Sequence, residues 1–221
     1  MLRDLVIYGA GGFGTEALEI AEAINADTLQ WNILGFIDDD SIKHGTGICG
    51  YPVFGGREWL RNNLADVIIC IGSPRLRRKV SLDLHSEYRC RFPALLHPSA
   101  IVSKRAIVGA GSVVCPAATI AANTQIGNHV LVGRNASIGH DITIGDYANI
   151  FPSATISGHC RIGEGTEIGS NATTIPKMNI NSWSVVGAGS VVIQDLPSNV
   201  TAVGSQARII MRREDGWQNH V

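Results

Sequence analysis

The sequence lacks a dominant charge, a disulfide pattern and a long apolar run. Its 18 Lys and Arg against 19 Asp and Glu leave a net charge of -1, so no general attraction draws it to nucleic acid or into an acidic membrane. Five cysteines, Cys49, Cys70, Cys90, Cys115 and Cys160, are scattered, odd in number and without CxxC spacing. That distribution predicts reduced thiols in a cytoplasmic protein rather than a disulfide scaffold. No apolar stretch approaches the roughly 18 residues of a membrane span, and no charged segment leads into a short apolar one. Neither membrane insertion nor a signal peptide is expected. Charge is scarcest between residues 106 and 160, where only Arg134, Asp141 and Asp146 carry it. Interface centres are depleted in charge, so this scarcity predicts a face buried against other copies, closed around a three-fold axis as a homotrimer.

What the chain does have is a repeat. Every sixth residue from Val102 to Val192 is β-branched: Val102, Val108, Val114, Ile120, Ile126, Val132, Ile138, Ile144, Ile150, Ile156, Ile162, Ile168, Thr174, Ile180, Val186 and Val192. A helix has period 3.6 and a plain strand period 2, so neither explains six. A hexapeptide β-helix does. Each hexad supplies a short strand and a bend, and three hexads close one triangular coil. The β-branched residues point inward. Glycine or another small residue is expected to relieve crowding at the corners. An interior filled by aliphatic rungs has no room for a ligand, so chemistry is expected on the outside.

The segment before the repeat alternates strands and helices, which predicts a parallel sheet. Leu5-Val6-Ile7-Tyr8 leads into Gly9-Ala10-Gly11-Gly12-Phe13-Gly14 and then into helical spacing. This is G-x-G-x-x-G between a strand and a helix, whose backbone N–H groups suit a phosphate. The next strand ends in Asp38-Asp39-Asp40, where an acid commonly accepts from a ribose. A third strand ends at Gly72-Ser73, followed by a basic helix with Arg75, Arg77, Arg78 and Lys79. The motif alone suggests NAD, but residues 1–97 provide about half of a dinucleotide fold. A mononucleotide such as a nucleotide-sugar fits that size better. The alternative is a tight turn that simply needs glycine.

Within the repeat, His140 falls two positions after Ile138, an outward place. Positions three hexads apart stack, which sets His140 between Ala122 and Gly158, and Asp141 between Asn123 and His159. A carboxylate beside an imidazole fixes its tautomer and raises its basicity, making His140 a candidate general base. The alternative is a surface or interface histidine. His129, His140 and His159 are read as three outward histidines. Their intervals of 11 and 19 lack the His-x4-His pairing of the zinc-bearing gamma-class carbonic anhydrases, so no metal is expected.

With these residues in view, the chain resembles the sugar O- and N-acyltransferases of the sialic-acid acetyltransferase type. It looks closest to bacterial acetyltransferases acting on UDP-4-amino-4,6-dideoxy sugars. The resemblance rests on Tyr8 to Gly14, Asp38-Asp39, Gly139-His140-Asp141 and Gly187-Ala188-Gly189-Ser190-Val191-Val192, and covers roughly residues 3–210. It implies an α/β plus all-β chain: a Rossmann-like βαβ nucleotide-sugar-binding domain (1–97), a left-handed parallel β-helix acetyltransferase domain (98–195) and a C-terminal tail (196–221). It also implies a trimer with acetyl-CoA between neighbouring β-helices. By resemblance, His140 is the base and Asp141 raises its basicity. Gly11, Gly12, Phe13, Asp38, Asp39 and Gly72 hold the nucleotide-sugar, and Asn149, Gly158, Ser170 and Ala188 contact acetyl-CoA. Three departures stand out. Relatives often carry histidine at Phe13 and some carry glutamate at Asp141. Val203-Gly204-Ser205-Gln206-Ala207 replaces the usual V-G-x-P-A.

The expected reaction is acetyl transfer from acetyl-CoA to the amine of a nucleotide-linked amino sugar, by direct attack on the thioester. O-acetylation of sialic acid or another glycan-precursor sugar is the alternative within the class. A nucleotide-binding redox module and a non-catalytic trimeric scaffold are the alternatives outside it. The tail either frays or covers the last coil.

Overall fold

The computed structural model describes residues 2–219. It divides into two compact units, Met1–Pro98 and Ser99–Val221.

In the first unit, β1 (Arg3–Tyr8) lies between β2 (Trp31–Ile37) and a third strand, Asp66–Ile69, all parallel. Helix α1 (Gly12–Asp27) crosses from β1 to β2. It buries Ala17, Leu18, Ala21 and Ile24, the spacing of one helical face. Helix α2 (Pro74–Glu87) starts with Ser73 as its N-cap, whose hydroxyl accepts from the Leu76 N–H, and with Pro74 at its first turn. Its buried face is Pro74, Arg77, Val80, Ser81 and Leu84. Arg77, one of the four basic residues of this helix, therefore points inward and is 1% exposed. Its guanidinium donates to the carbonyls of Ile71 (2.6 Å) and Gly72 (3.3 Å), tying the helix to the end of the third strand.

The second unit is a β-helix. From Ile101–Val102 to Val191–Val192 a two-residue strand recurs at every sixth position. Each pairs in parallel with the strand three hexads away, so that Ile120, Ile138 and Ile156 align on one wall, Ile126, Ile144 and Ile162 on the second, and Val132, Ile150 and Ile168 on the third. These aliphatic rungs are at most 3% exposed. Each contributes about 1.5–3 kcal/mol of burial.

The residues two before each rung also face inward. Ser112, Thr124, Thr166 and Ser184 are fully buried there. Each hydroxyl donates to a backbone carbonyl at the same corner of the next coil, at Gly127 (2.8 Å), Gly139 (2.7 Å), Asn181 (3.0 Å) and Pro197 (2.8 Å). Thr174 is the polar member of the rungs themselves. Its Oγ1 accepts from the Ser157 N–H at 3.0 Å. Thr174→Val should therefore destabilise the unit by about 1–3 kcal/mol despite being more apolar, because it orphans a buried N–H; a denaturant melt measures this.

The corners combine two rules, one for backbone conformation and one for crowding. Every sixth residue from Gly111 to Gly189 has positive φ, yet only Gly111, Gly165 and Gly189 among them are glycine. Asn123, Asn135, Asp141 and Asn171 are among the others; Asn and Asp tolerate the left-handed region best after glycine. The recurring glycine that follows the rungs relieves crowding at the corner, as expected. A Cβ at Gly163 or Gly169 would strike the backbone of the next coil.

Beyond the last rung, Val200–Val203 extends the third wall and turns back antiparallel into Arg208–Arg212. The Ser205–Gln206 peptide in that turn is cis. Arg213 lies over the Trp217 ring, whose Nε1 donates to Asn199 Oδ1 at 3.0 Å. Of the two expectations for the tail, covering the last coil is the one observed, through Asn219. That pairing protects an otherwise open sheet edge.

Candidate active site

His140 and Asp141 form a corner between the first and second walls. Asp141 is held in the left-handed region (φ 57°), and its N–H donates to the Ala122 carbonyl at 3.0 Å. This geometry turns its carboxylate back onto its neighbour: His140 Nδ1 and Asp141 Oδ2 are 2.7 Å apart. The other carboxylate oxygen accepts from Asn123 Nδ2 at 3.1 Å. The hydrogen bonds from His140 and Asn123 hold the Asp141 carboxyl below the usual range. An ionised carboxylate only accepts, so the neutral imidazole carries its proton on Nδ1 and keeps its Nε2 lone pair. A Cβ at Gly158 would come within 2.9 Å of Nε2 and Cε1. The ring thus occupies the space that glycine leaves one coil above. His140 is 58% exposed and reachable from solvent. His159, stacked above Asp141, sets its ring edge-on to His140 at 5.0 Å between centroids.

His129 shares this corner position within its hexad but is covered, only 6% exposed. It occupies the corner between the second and third walls, flat beneath Tyr147 with centroids 5.6 Å apart.

The four candidate acetyl-CoA positions do not gather at His140. Gly158 shares its edge. Ser170 and Ala188 lie on the edge that follows the third wall, one coil apart, with the Gly189 N–H donating to the Ser170 carbonyl. Asn149 faces outward on that third wall, fully buried, with Nδ2 3.3 Å from Glu167 Oε2. One chain therefore carries these groups on two different edges.

In the first unit, the Gly-rich turn shows two kinds of glycine. A Cβ on Gly9 would meet the Cys70 carbonyl at 2.6 Å, and one on Gly14 would run into the Gly9 carbonyl. Gly11 and Gly12 have nothing within 4 Å of that position. They are exposed, Gly11 is the N-cap of α1, and no side chain caps the helix. The open N–H groups and helix dipole suit an anion there. Phe13 is half-buried in the first turn of α1. Gly72 is exposed at the end of the third strand.

The two acids beside this turn are engaged with protein donors. Asp38 Oδ2 accepts from the Ala10 N–H and from Lys43 Nζ, both at 2.8 Å. Asp39 Oδ2 accepts from the Tyr8 hydroxyl at 2.6 Å and from Arg57, which also reaches Asp83 at 2.9 Å. Asp38 thus holds the turn in place, while Asp39 keeps a half-open carboxylate. Lys43, Arg57 and Tyr8 escape sequence reasoning because no motif spaces them from the acids. Burial works to raise both carboxyls. Lys43 and backbone N–H groups outweigh it at Asp38, Arg57 and Tyr8 at Asp39, and both end below the usual range. Burial and Asp39 push the Tyr8 hydroxyl up. A depressed carboxyl stabilises fully above its unfolded value of about 3.9 and loses that contribution as pH falls through the folded value. The first unit should lose melting temperature as pH drops below about 4, and less steeply in Asp39→Asn; thermal melts across pH read this.

A cavity of about 410 Å³ lies between residues 60–65 and 87–90. It sits at the opposite end of the third strand from the Gly-rich turn, and none of the candidate site residues lines it. No described helix is long and apolar enough to cross a membrane.

Residues 4–84 match the PglD N-terminal domain, and residues 123–158 and 141–176 match the bacterial transferase hexapeptide repeats. Over 94% of its length the chain is 33% identical to the acetyltransferase domain of PglB from Neisseria gonorrhoeae FA1090, covering all of that domain with a TM-score of 0.85. The chain belongs to the hexapeptide-repeat sugar acyltransferases. Another neighbour is perosamine N-acetyltransferase from Caulobacter crescentus, in complex with CoA and GDP-perosamine, at 28% identity and TM-score 0.87, with 97% of this chain and 99% of that one aligned. The UDP-N-acetylbacillosamine N-acetyltransferase of Bacillus subtilis is 37% identical over 127 residues, 51% of each chain. The chain spans about half the length, or less, of the curated relatives it matches.

Proposed function

We propose that the protein transfers acetyl from acetyl-CoA to the amine of a nucleotide-linked amino sugar, of the UDP- or GDP-linked 4-amino-4,6-dideoxy type. The observation that carries this reading is the exposed His140 imidazole, fixed by Asp141 and seated over Gly158. Nε2 takes a proton from the acceptor amine as the nitrogen attacks the thioester carbonyl. The tetrahedral oxyanion then collapses to an amide, and the CoA thiolate leaves and is protonated. No covalent enzyme intermediate is needed. Buried Cys115 and Cys160 stay as parts of the wall.

Gly11, Gly12, Phe13, Asp39 and Gly72 hold the nucleotide-sugar through the open N-terminus of α1 and the half-exposed Asp39 carboxylate. Asp38 acts behind them, on the turn. The two-edge distribution supports a homotrimer: the edge with Asn149, Ser170 and Ala188 from one copy faces the His140 edge of the next, and acetyl-CoA lies between. The small, neutral residues over 106–160 suit such a contact.

A thiol-release assay with acetyl-CoA and a panel of UDP- and GDP-linked amino and hydroxy sugars, with products read by mass spectrometry, tests the proposal. An N-acetylated nucleotide-sugar is the expected product. Acetyl found only on hydroxyl acceptors moves the assignment to O-acetylation, and no thiol release with any sugar rejects it.

A further inference from the structure

We propose that His140, Asp141 and His159 form a binding site for Zn²⁺ or a similar transition-metal ion, and that its occupancy blocks acetyl transfer. The proposal rests on the reading of His140 as the base. Asp141 and His159 are a full coil apart in sequence and become neighbours when one coil stacks on the next, as the hexad count places them; the spacing of the histidines alone gives no sign of the cluster. One ligand atom from each residue lies within 4.8 Å of the others, and among the described residues no other group of this kind occurs.

Two imidazoles and one carboxylate are the ligand chemistry of zinc, copper or nickel. Magnesium and calcium favour all-oxygen shells. Tetrahedral zinc with bonds of about 2.0–2.1 Å sets its donors roughly 3.4 Å apart. The cluster is within about an ångström and a half of that spacing, and all three side chains are exposed. Their backbones are fixed. The Asp141 N–H donates to Ala122, and the His159 N–H donates to the His140 carbonyl at 3.0 Å. Three ligands leave a fourth position open to solvent, so the metal enters without disturbing the β-helix. Once bound, the imidazole can no longer take the amine proton. The site is thus inhibitory and is no part of the catalytic cycle.

The test uses the full chain, stripped with a chelator and titrated with ZnCl₂ against a chromophoric competitor, without substrates. Binding of one zinc per chain in the micromolar range or tighter is expected. His159→Asn retains a residue suited to the left-handed corner. It should weaken binding at least tenfold while its melting temperature matches the parent, and its inhibition by zinc is read against its own zinc-free rate. Zinc should inhibit the parent, with EDTA restoring activity, and should inhibit His159→Asn at least tenfold less potently. Equal zinc affinity in parent and variant, or zinc bound at this site with turnover unchanged, overturns the proposal. Because binding is measured without substrates, a protein that binds zinc through His159 but transfers no acetyl would retain the metal site while refuting the catalytic reading.

Discussion

His140→Ala should lower turnover by about 10²–10⁴-fold, the usual contribution of a positioned general base. The side chain is exposed and touches no part of the solenoid interior, so its removal should leave the melting temperature and acetyl-CoA affinity close to the parent. The effect should fall on kcat, since proton transfer is needed only as the amine attacks. Asp141→Asn keeps the left-handed corner and a hydrogen-bonding side chain but removes the charge that dictates the tautomer. It should impair turnover less than His140→Ala. Turnover of His140→Ala within about twofold of the parent would refute the role assigned to the imidazole.

The second large effect separates the glycines of the N-terminal turn. Gly14→Ala drives a methyl group into the Gly9 carbonyl, where backbone cannot yield, and should destabilise the first unit by about 1–3 kcal/mol or more. Gly12→Ala meets nothing in the protein and should change stability by no more than about 0.5 kcal/mol. Its methyl group occupies the space where we place the diphosphate, so it should raise KM for the nucleotide-sugar by about tenfold or more, a loss of about 1.4 kcal/mol. Thermal melts and initial rates on the two variants read both halves. If Gly12→Ala binds the nucleotide-sugar like the parent, glycine there serves only the turn.

The β-helix is legible in the sequence because its rule is local. One buried β-branched residue per hexad leaves a mark that no other fold requires. The pairing of His140 with Asp141, and their neighbours at Asn123, Gly158 and His159, follow from the same count, since three hexads per coil fix what stacks on what. The corners are less transparent. Positive φ falls on Asn, Asp, His and Tyr as well as glycine, so composition does not mark the left-handed positions, whereas the glycines after the rungs relieve crowding as expected. The burial of His129 goes unseen because the count gives its corner but not the Tyr147 ring that covers it. Arg77 looks like part of a charged surface because a run of basic residues hides which of them lies on the buried face of α2. The Tyr8–Asp39–Arg57 network leaves no sequence signal, as it joins a strand end to a loop with no fixed spacing.

All of the proposed chemistry depends on an amine reaching the His140 ring on the outside of the coil. A crystal structure of the protein with CoA and an amino-sugar nucleotide measures this directly. The expected result is the acceptor nitrogen about 2.6–3.2 Å from His140 Nε2, or joined to it through one water, with CoA against the edge that bears Ser170 and Ala188 of an adjacent copy. An acceptor bound with its amine farther away than one bridging water, or CoA bound away from that edge, would contradict the account.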